Sequence, residues 1–415
     1  MAGVWYVGID WAGDHHDVAV TDAQAREVAQ FQVAHSVAGL AELEERLAAL
    51  AKAAAVWVAI ERPDGLLVGT LLGWGVAIYP VNPKAVDRYR DRYAQAGAKD
   101  DRRDAWVLAH ILRTDGHRYR PLQAEGEVAA ELRLTARAHR DLVGEGVRLA
   151  NQLRTCLADY YPLALELFAR LDQPLTLAFL RAFPDPRAAQ TASPAAVRAW
   201  CQQQRYTRPE RVAALLARVA APSLQQPNAG VVRARCRFMR SLVDALEAVL
   251  RAKQEHARAL AALLGRHPDG GLFLALPGAG VVTAAEVLGE LGEDRGRLPR
   301  PEDLRAVGGT APVTIRSGKR CVVVRRRACN QALHGALIQW ARCSMLQAAA
   351  GKQEAAWVLP LYRARRAAGD SAQAAYRVIA NRWAGILWAM WTRREPYDAQ
   401  RYRQACAQRA SPKAS

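Results

Sequence analysis

Val4-Trp5-Tyr6-Val7-Gly8-Ile9-Asp10 and Ala55-Val56-Trp57-Val58-Ala59-Ile60-Glu61 are two short β-branched and aromatic runs, and each ends in a carboxylate. Such runs read as buried strands. Between them lie the turn-prone Ala12-Gly13-Asp14, a second strand at about residues 17–22, and an Ala/Leu/Glu-rich stretch at 37–54 with helical spacing. A short helix at about 65–73 and a strand over Val76-Ala77-Ile78-Tyr79, closed by Pro80, come next. Helical spacing returns from Asp101 to Leu112. Strands alternating with helices predict a compact α/β domain over residues 1–120.

The remainder has a different character. The chain has 415 residues, 51% hydrophobic and 24% charged, which is globular composition with ample material for a core. Seven Cys, at 156, 201, 236, 321, 329, 343 and 406, form no CxxC pair. That excludes a disulfide scaffold and a Cys-rich zinc module, and it fits a reducing cytoplasm. The first ten residues lack the basic start and apolar run of a signal peptide. No charge-free apolar stretch reaches the roughly 18 residues of a membrane span, so no membrane partner is expected.

Net charge is +18, unevenly placed: −2 over residues 1–120, +7 over 121–270 and +13 over 271–415. Polyanions bind such surfaces with release of counterions, so nucleic acid is the expected partner of the rear two thirds. Of the 58 basic residues 51 are Arg, which suits bidentate phosphate contacts but equally follows from a GC-rich genome. Apolar spacing at about 122–160 and 230–265 predicts two long helices in a region spanning 121–270. They read either as an antiparallel coiled coil, within or between chains, or as ordinary bundle helices. A mainly helical domain over 271–395 and a frayed polar tail over 396–415 complete the expected organisation.

Four carboxylates stand out by position. Asp10 and Glu61 end strands, and Asp101 and Asp104 sit three apart at a helix start, on one helical face. Converging carboxylates are costly unless a cation neutralises them. Hard divalent ions, Mg²⁺ first and Mn²⁺ as an alternative, take such oxygen ligands and can clamp a phosphoryl displacement. Turn and helix-dipole roles are the plainer readings of each residue alone. An actin-like sugar kinase also has a Gly-Ile-Asp followed by a β-hairpin, but its further Gly-rich phosphate loops are missing here.

Leu276-Pro277-Gly278-Ala279-Gly280 opens a helix and reads as the hairpin of a helix-hairpin-helix element. Backbone amides at Gly278 and Gly280 are then candidate phosphate donors; a plain interhelical turn is the other reading. Residues 315–327 hold Arg316, Lys319, Arg320, Arg325, Arg326 and Arg327 and no acid, with Ser317 among them. Surrounding cations can assist a serine hydroxyl in attacking phosphorus, or Ser317 can simply lie in a phosphate-binding loop. His15 and His16 read as polar turn residues, and Trp340, Trp383, Trp388 and Trp391 as core.

Asp10, Glu61, the Lys99…Asp101-Arg-Arg-Asp104-Ala105 box, the Pro-Gly-Ala-Gly turn and Ser317-Gly318 follow one another in the order of a known family. The chain resembles the DEDD transposases of insertion sequences, relatives of the Piv DNA invertase that include bridge-RNA-guided recombinases. Asp159-Tyr160-Tyr161-Pro162, Gly308-Gly309-Thr310-Ala311-Pro312, Asn330, Leu333, Leu337 and Asn381-Arg382-Trp383 extend the likeness almost end to end. The resemblance implies a RuvC-like (RNase H-like) α/β front domain whose Mg²⁺ ligands correspond to Asp10, Glu61, Asp101 and Asp104. It implies a rear domain whose serine, here Ser317, forms a covalent phosphoserine link to donor and target DNA. A non-coding guide RNA and a dimeric or tetrameric assembly held by a coiled coil are further implications. The family's Gly-Asn…Leu-Arg run reads Cys329-Asn330…Leu333-His334 here, which removes a turn glycine and a phosphate-contacting arginine. A protein-only invertase, a RuvC-like junction nuclease using water, and a binding-only degenerate transposase are the alternatives.

Overall fold

The computed structural model describes residues 3–93, 101–318 and 320–410. The carboxylate-ended runs become neighbouring strands. β1 (Val4–Trp11) pairs in parallel with β4 (Ala55–Ile60), matching Ile9 to Ile60. β2 (His15–Thr21) and β3 (Glu27–Ala34) extend the sheet antiparallel on one side and β5 (Ala77–Pro80) parallel on the other. The strand order is β3-β2-β1-β4-β5. β3 is absent from the sequence reading because Glu27, Gln30 and Gln32 give this edge strand one wet face and the polarity of a loop.

Alternation divides the sheet into two faces. Val7, Ile9, Val18, Val20, Val58 and Ile60 pack with Leu43 and Leu47 of α1 (Val37–Ala51) and Leu67 and Leu71 of α2 (Leu66–Gly73). On the other face Ala59 and Tyr79 pack with Val86 of α3 (Pro83–Tyr93) and with Val107, Leu108, Ile111 and Leu112 of α4 (Asp101–Asp115). The chain divides into two units, Met1–Glu125, built on this sheet, and Gly126–Ser415.

The second unit starts with the 34-residue α5 (Glu127–Tyr160). Five short helices follow: α6 (Pro162–Leu167), α7 (Pro174–Ala182), α8 (Pro186–Thr191), α9 (Pro194–Gln203) and α10 (Pro209–Ala220). Each starts with proline, whose missing N–H costs nothing in the first turn. The 38-residue α11 (Ala229–Arg266) then runs back along α5. Leu149, Leu153 and Leu157 of α5 share a core with Met239, Leu242 and Leu246 of α11 and with the short helices. At the other end Leu132 of α5 and Leu260, Leu263 and Leu264 of α11 join a second core. The pair is therefore antiparallel within one chain.

That second core also holds α12 (Gly270–Leu274), α13 (Val281–Leu291), α14 (Pro301–Val307), α15 (Gln331–Ala349), α16 (Val358–Ala367) and α17 (Ala372–Arg393). Trp340, Trp383 and Trp391 are fully buried within it, as expected, and Trp340 stacks on Trp383 with ring centroids 4.6 Å apart. The Arg-rich segment, for which no strands are expected from the sequence, is a β-hairpin of β6 (Val313–Ser317) and β7 (Arg320–Val324). The expected polar tail contains a helix, α18 (Ala399–Ala410), whose Tyr402 ring lies 5.5 Å from that of Trp357. Among the described residues no helix is long and apolar enough to cross a membrane.

Candidate active site

In the first unit a row of small residues lets α4 lie close on the sheet. Gly8 pairs with Ala19 on one side and Ala59 on the other. α4 lies on this floor so closely that a Cβ on Gly8 would stand 1.9 Å from the Ala105 carbonyl oxygen and 2.6 Å from the Ala109 nitrogen. Only glycine fits such an approach. Glu61 follows the end of β4 beside the end of β1 that carries Asp10, and Asp104 lies on α4 immediately before Ala105.

Asp10 and Glu61 thus share one end of the sheet. Asp101 opens α4, and its side chain lies outside the described residues, as do Lys99 and Asp100. Asp104 is 3% exposed, and both its oxygens accept from Arg90 of α3, at 2.7 Å from Nε and 2.8 Å from Nη2. A cation already sits on this acid. Among the described residues no group of three or more His, Cys, Asp or Glu side chains is gathered closely enough to hold a metal ion. The donor chemistry, hard carboxylate oxygens at one strand edge, nevertheless suits Mg²⁺.

Sequence reasoning missed Asp17. It is directly opposite Asp10 on β2 and is 3% exposed. Gln32 donates to both its oxygens at 3.4 Å, and His15 Nε2 stands 3.5 Å away. The signal was there: a single turn from Asp10 back along an antiparallel strand brings Asp17 alongside. His15 and His16 are strand residues, not turn residues. His16 is fully buried, its Nε2 2.9 Å from His35 Nδ1. Burial, with the neighbouring His35 and His15, holds the His16 pKa down at about 4.

In the second unit Ser317 ends β6 and faces Arg320 across the hairpin, with Gly318 at φ 56° turning the chain. Left-handed glycine is what a tight hairpin needs. Ser317, Arg316, Arg320, Arg325 and Arg327 are exposed and Arg326 half-buried; Lys319 lies outside the described residues. Among the described residues none of these arginines is paired with a carboxylate. The hairpin presents a hydroxyl at the tip of a cationic finger.

Residues 7–162 match a family model described as a transposase of the DEDD IS110 type, and residues 271–356 match the transposase IS116/IS110/IS902 family. The chain is 36% identical, over 95% of its own length and 96% of the relative's, to the mini-circle protein of Streptomyces coelicolor to which the transposase role for IS117 is ascribed. It belongs to the IS110 family of transposases. It is also 30% identical to an uncharacterized IS110 insertion-element protein of Streptomyces coelicolor, over 73% of this chain and 74% of that one. An uncharacterized IS900 protein of Mycobacterium paratuberculosis is 27% identical over 94% of this chain and 96% of that one.

Within the transposase's 271–356 segment the Pro-Gly-Ala-Gly turn is locked inward. Gly278 is buried at φ 81°, where a Cβ would meet the Ser344 nitrogen at 2.5 Å. Trp340 Nε1 donates to the Pro277 carbonyl at 2.9 Å, and Trp383 Nε1 to Ser344 Oγ at 3.0 Å. Gly278 is thus a packing residue, which corrects its reading as a phosphate donor; Gly280 is exposed and caps α13.

The departures after the serine also have structural accounts. A Cβ on Gly309 would stand 2.5 Å from Cys329 Sγ, so the cysteine fills the space beside that loop. His334 is buried, with Nδ1 3.0 Å from the Gly308 carbonyl, and burial keeps its pKa low. Asn330 caps α15 by accepting from the Leu333 N–H at 3.0 Å and donates to Glu290 at 2.8 Å. Burial alone would raise the Glu290 pKa, but bonds from Arg137 and Asn330 and the charge of Arg140 hold it low.

Proposed function

We propose that this IS110-family transposase cleaves and rejoins DNA through a phosphoserine intermediate at Ser317. The Ser317 Oγ attacks a backbone phosphorus; the Oγ–P bond forms as the bond to a deoxyribose oxygen breaks, and the hydroxyl proton ends on that leaving oxygen. Phosphodiester energy is retained in the adduct, so a new strand end can reverse the step and join. The observation that carries this reading is the exposed serine at the tip of a hairpin whose guanidinium groups have no carboxylate partner among the described residues. Arg316, Arg320, Arg325, Arg326 and Arg327, with Lys319, would bind phosphates, and the exposed amide of Gly280 would add a contact at the start of α13.

Asp10, Glu61, Asp101 and Asp104 are the residues that would hold Mg²⁺ or Mn²⁺. Bound there, the ion supplies neutralisation of charge developing on phosphate oxygens. Arg90 would have to release Asp104, and its guanidinium meanwhile keeps that buried acid compensated. A guide RNA pairing with donor and target, and a dimeric or tetrameric assembly, complete the proposal; element-derived RNA co-purifying with the chain supports guidance, and recombination by RNA-free protein supports the invertase mode.

Ser317→Ala is expected to abolish the covalent protein–DNA adduct while DNA binding is retained. Asp10→Asn is expected to abolish recombined product with little loss of binding. An adduct in the first variant, or normal product in the second, overturns the corresponding role. The grip of Arg90 on Asp104 favours a second, binding-only reading, which any Mg²⁺-dependent strand product rejects.

A further inference from the structure

A cleft of about 390 Å³ lies in the second unit at the base of the hairpin, away from its serine tip. The Gly309–Pro312 loop, the end of β7 and one face of α17 line it. This is where two motifs distant in sequence meet: Thr310 Oγ1 donates to Asn381 Oδ1 at 3.2 Å, and Arg305 Nε to the Asn381 carbonyl at 3.3 Å. Arg377 is one helical turn before Asn381 and therefore on the same face. Arg325 and Arg326 enter from β7.

The charge of the cleft is uncompensated. Arg365 also lines it, but Asp370 accepts from its Nε at 2.5 Å and neutralises it. Among the described residues Arg325, Arg326 and Arg377 have no carboxylate partner, and Arg326 Nε is buried without a hydrogen-bond acceptor. Both Arg325 and Arg377 lie near enough to His334 to disfavour its charged form. Val323, 63% exposed, supplies an apolar wall beside these cations. Three convergent guanidiniums, a hydroxyl, an amide and a small apolar wall suit a phosphodiester with its attached sugar.

We infer that the cleft formed by Thr310, Val323, Arg325, Arg326, Arg377 and Asn381 is a binding site for the phosphodiester backbone of a nucleic-acid strand, separate from the Ser317 tip. β6 spans Val313 to Ser317, so the cleft lies roughly 13 Å along the hairpin from the hydroxyl. A strand anchored there and reaching the tip is held a few nucleotides from the phosphate presented to Ser317. The inference deepens the proposed function by separating strand anchoring from chemistry.

The test is fluorescence anisotropy on the full chain with labelled single-stranded DNA and RNA of about ten nucleotides and the matching DNA duplex, titrated against salt. Arg377→Gln and Arg325→Gln, each checked for an unchanged melting temperature, are expected to lower affinity roughly tenfold. Each should also flatten the salt dependence of binding to a single strand by about 0.7 in log–log slope. Losses confined to DNA or to RNA assign the strand; equal losses assign the shared phosphate contact. Parent-like affinity and slope in either folded variant, with every probe, overturn the inference. Adduct formation is followed on the same proteins. A parent chain that forms no serine adduct, yet loses binding in the arginine variants, sinks the nucleophile and leaves the cleft standing.

Discussion

Gly8 shows how much one missing Cβ can decide. The crossing of α4 over the sheet depends on a backbone contact that alanine cannot make. Gly8→Ala is expected to destabilise the first unit by roughly 3 kcal/mol, measured by denaturant unfolding, and to remove strand products with it. His16 gives the pH counterpart. Its folded pKa of about 4 lies below its ordinary 6.5, so its neutral form is favoured by folding. Between those values the unfolded chain takes up a proton that the folded chain refuses, so stability is full above pH 6.5 and falls towards pH 4. Burial lowers His110, His139 and His334 as well, and they act in the same direction. His16→Asn is expected to flatten part of this decline in melting curves taken across that range; an unchanged pH profile would remove His16 from it.

At the scale of elements, runs with one strong period were legible and mixed ones were not. β1, β4 and the two long helices follow directly from apolar spacing, and the carboxylates at strand ends could be picked out because parallel strands finish together. β3 and the β6–β7 hairpin were not legible, since exposed faces of Gln, Arg and Thr mask alternation of period two. Asp17 was missed although the short turn after β1 points to it, because which β2 residue stands opposite Asp10 depends on register, which local composition does not fix. The burial of Gly278 was not legible because a Pro-Gly-x-Gly sequence does not say which side of its turn packs against the core. The start of α15 carries the clearest prediction at this scale. Asn330 both caps the helix and satisfies the buried Glu290, so Asn330→Ala should cost about 2–3 kcal/mol in chemical denaturation. A loss below half of that would show the cap to be dispensable.

For the whole molecule, the division of charge matches the division of structure. Residues 1–125 hold 14 basic and 17 acidic side chains, and residues 126–415 hold 44 and 23. The acidic unit carries the carboxylates proposed to hold metal, and the basic unit carries Ser317 and the arginines proposed to bind phosphate. The family matches do not follow this boundary: one runs from the sheet through α5 into the second unit, and the other spans the serine hairpin. The serine is the element of this account most open to direct measurement. A DNA substrate nicked to prevent religation is incubated with the transposase and Mg²⁺, the protein is digested, and the nucleotide-bearing peptide is sequenced by mass spectrometry. A phosphodiester on Ser317 is the predicted result; an adduct on any other residue, or cleaved ends with no protein attached, would contradict it.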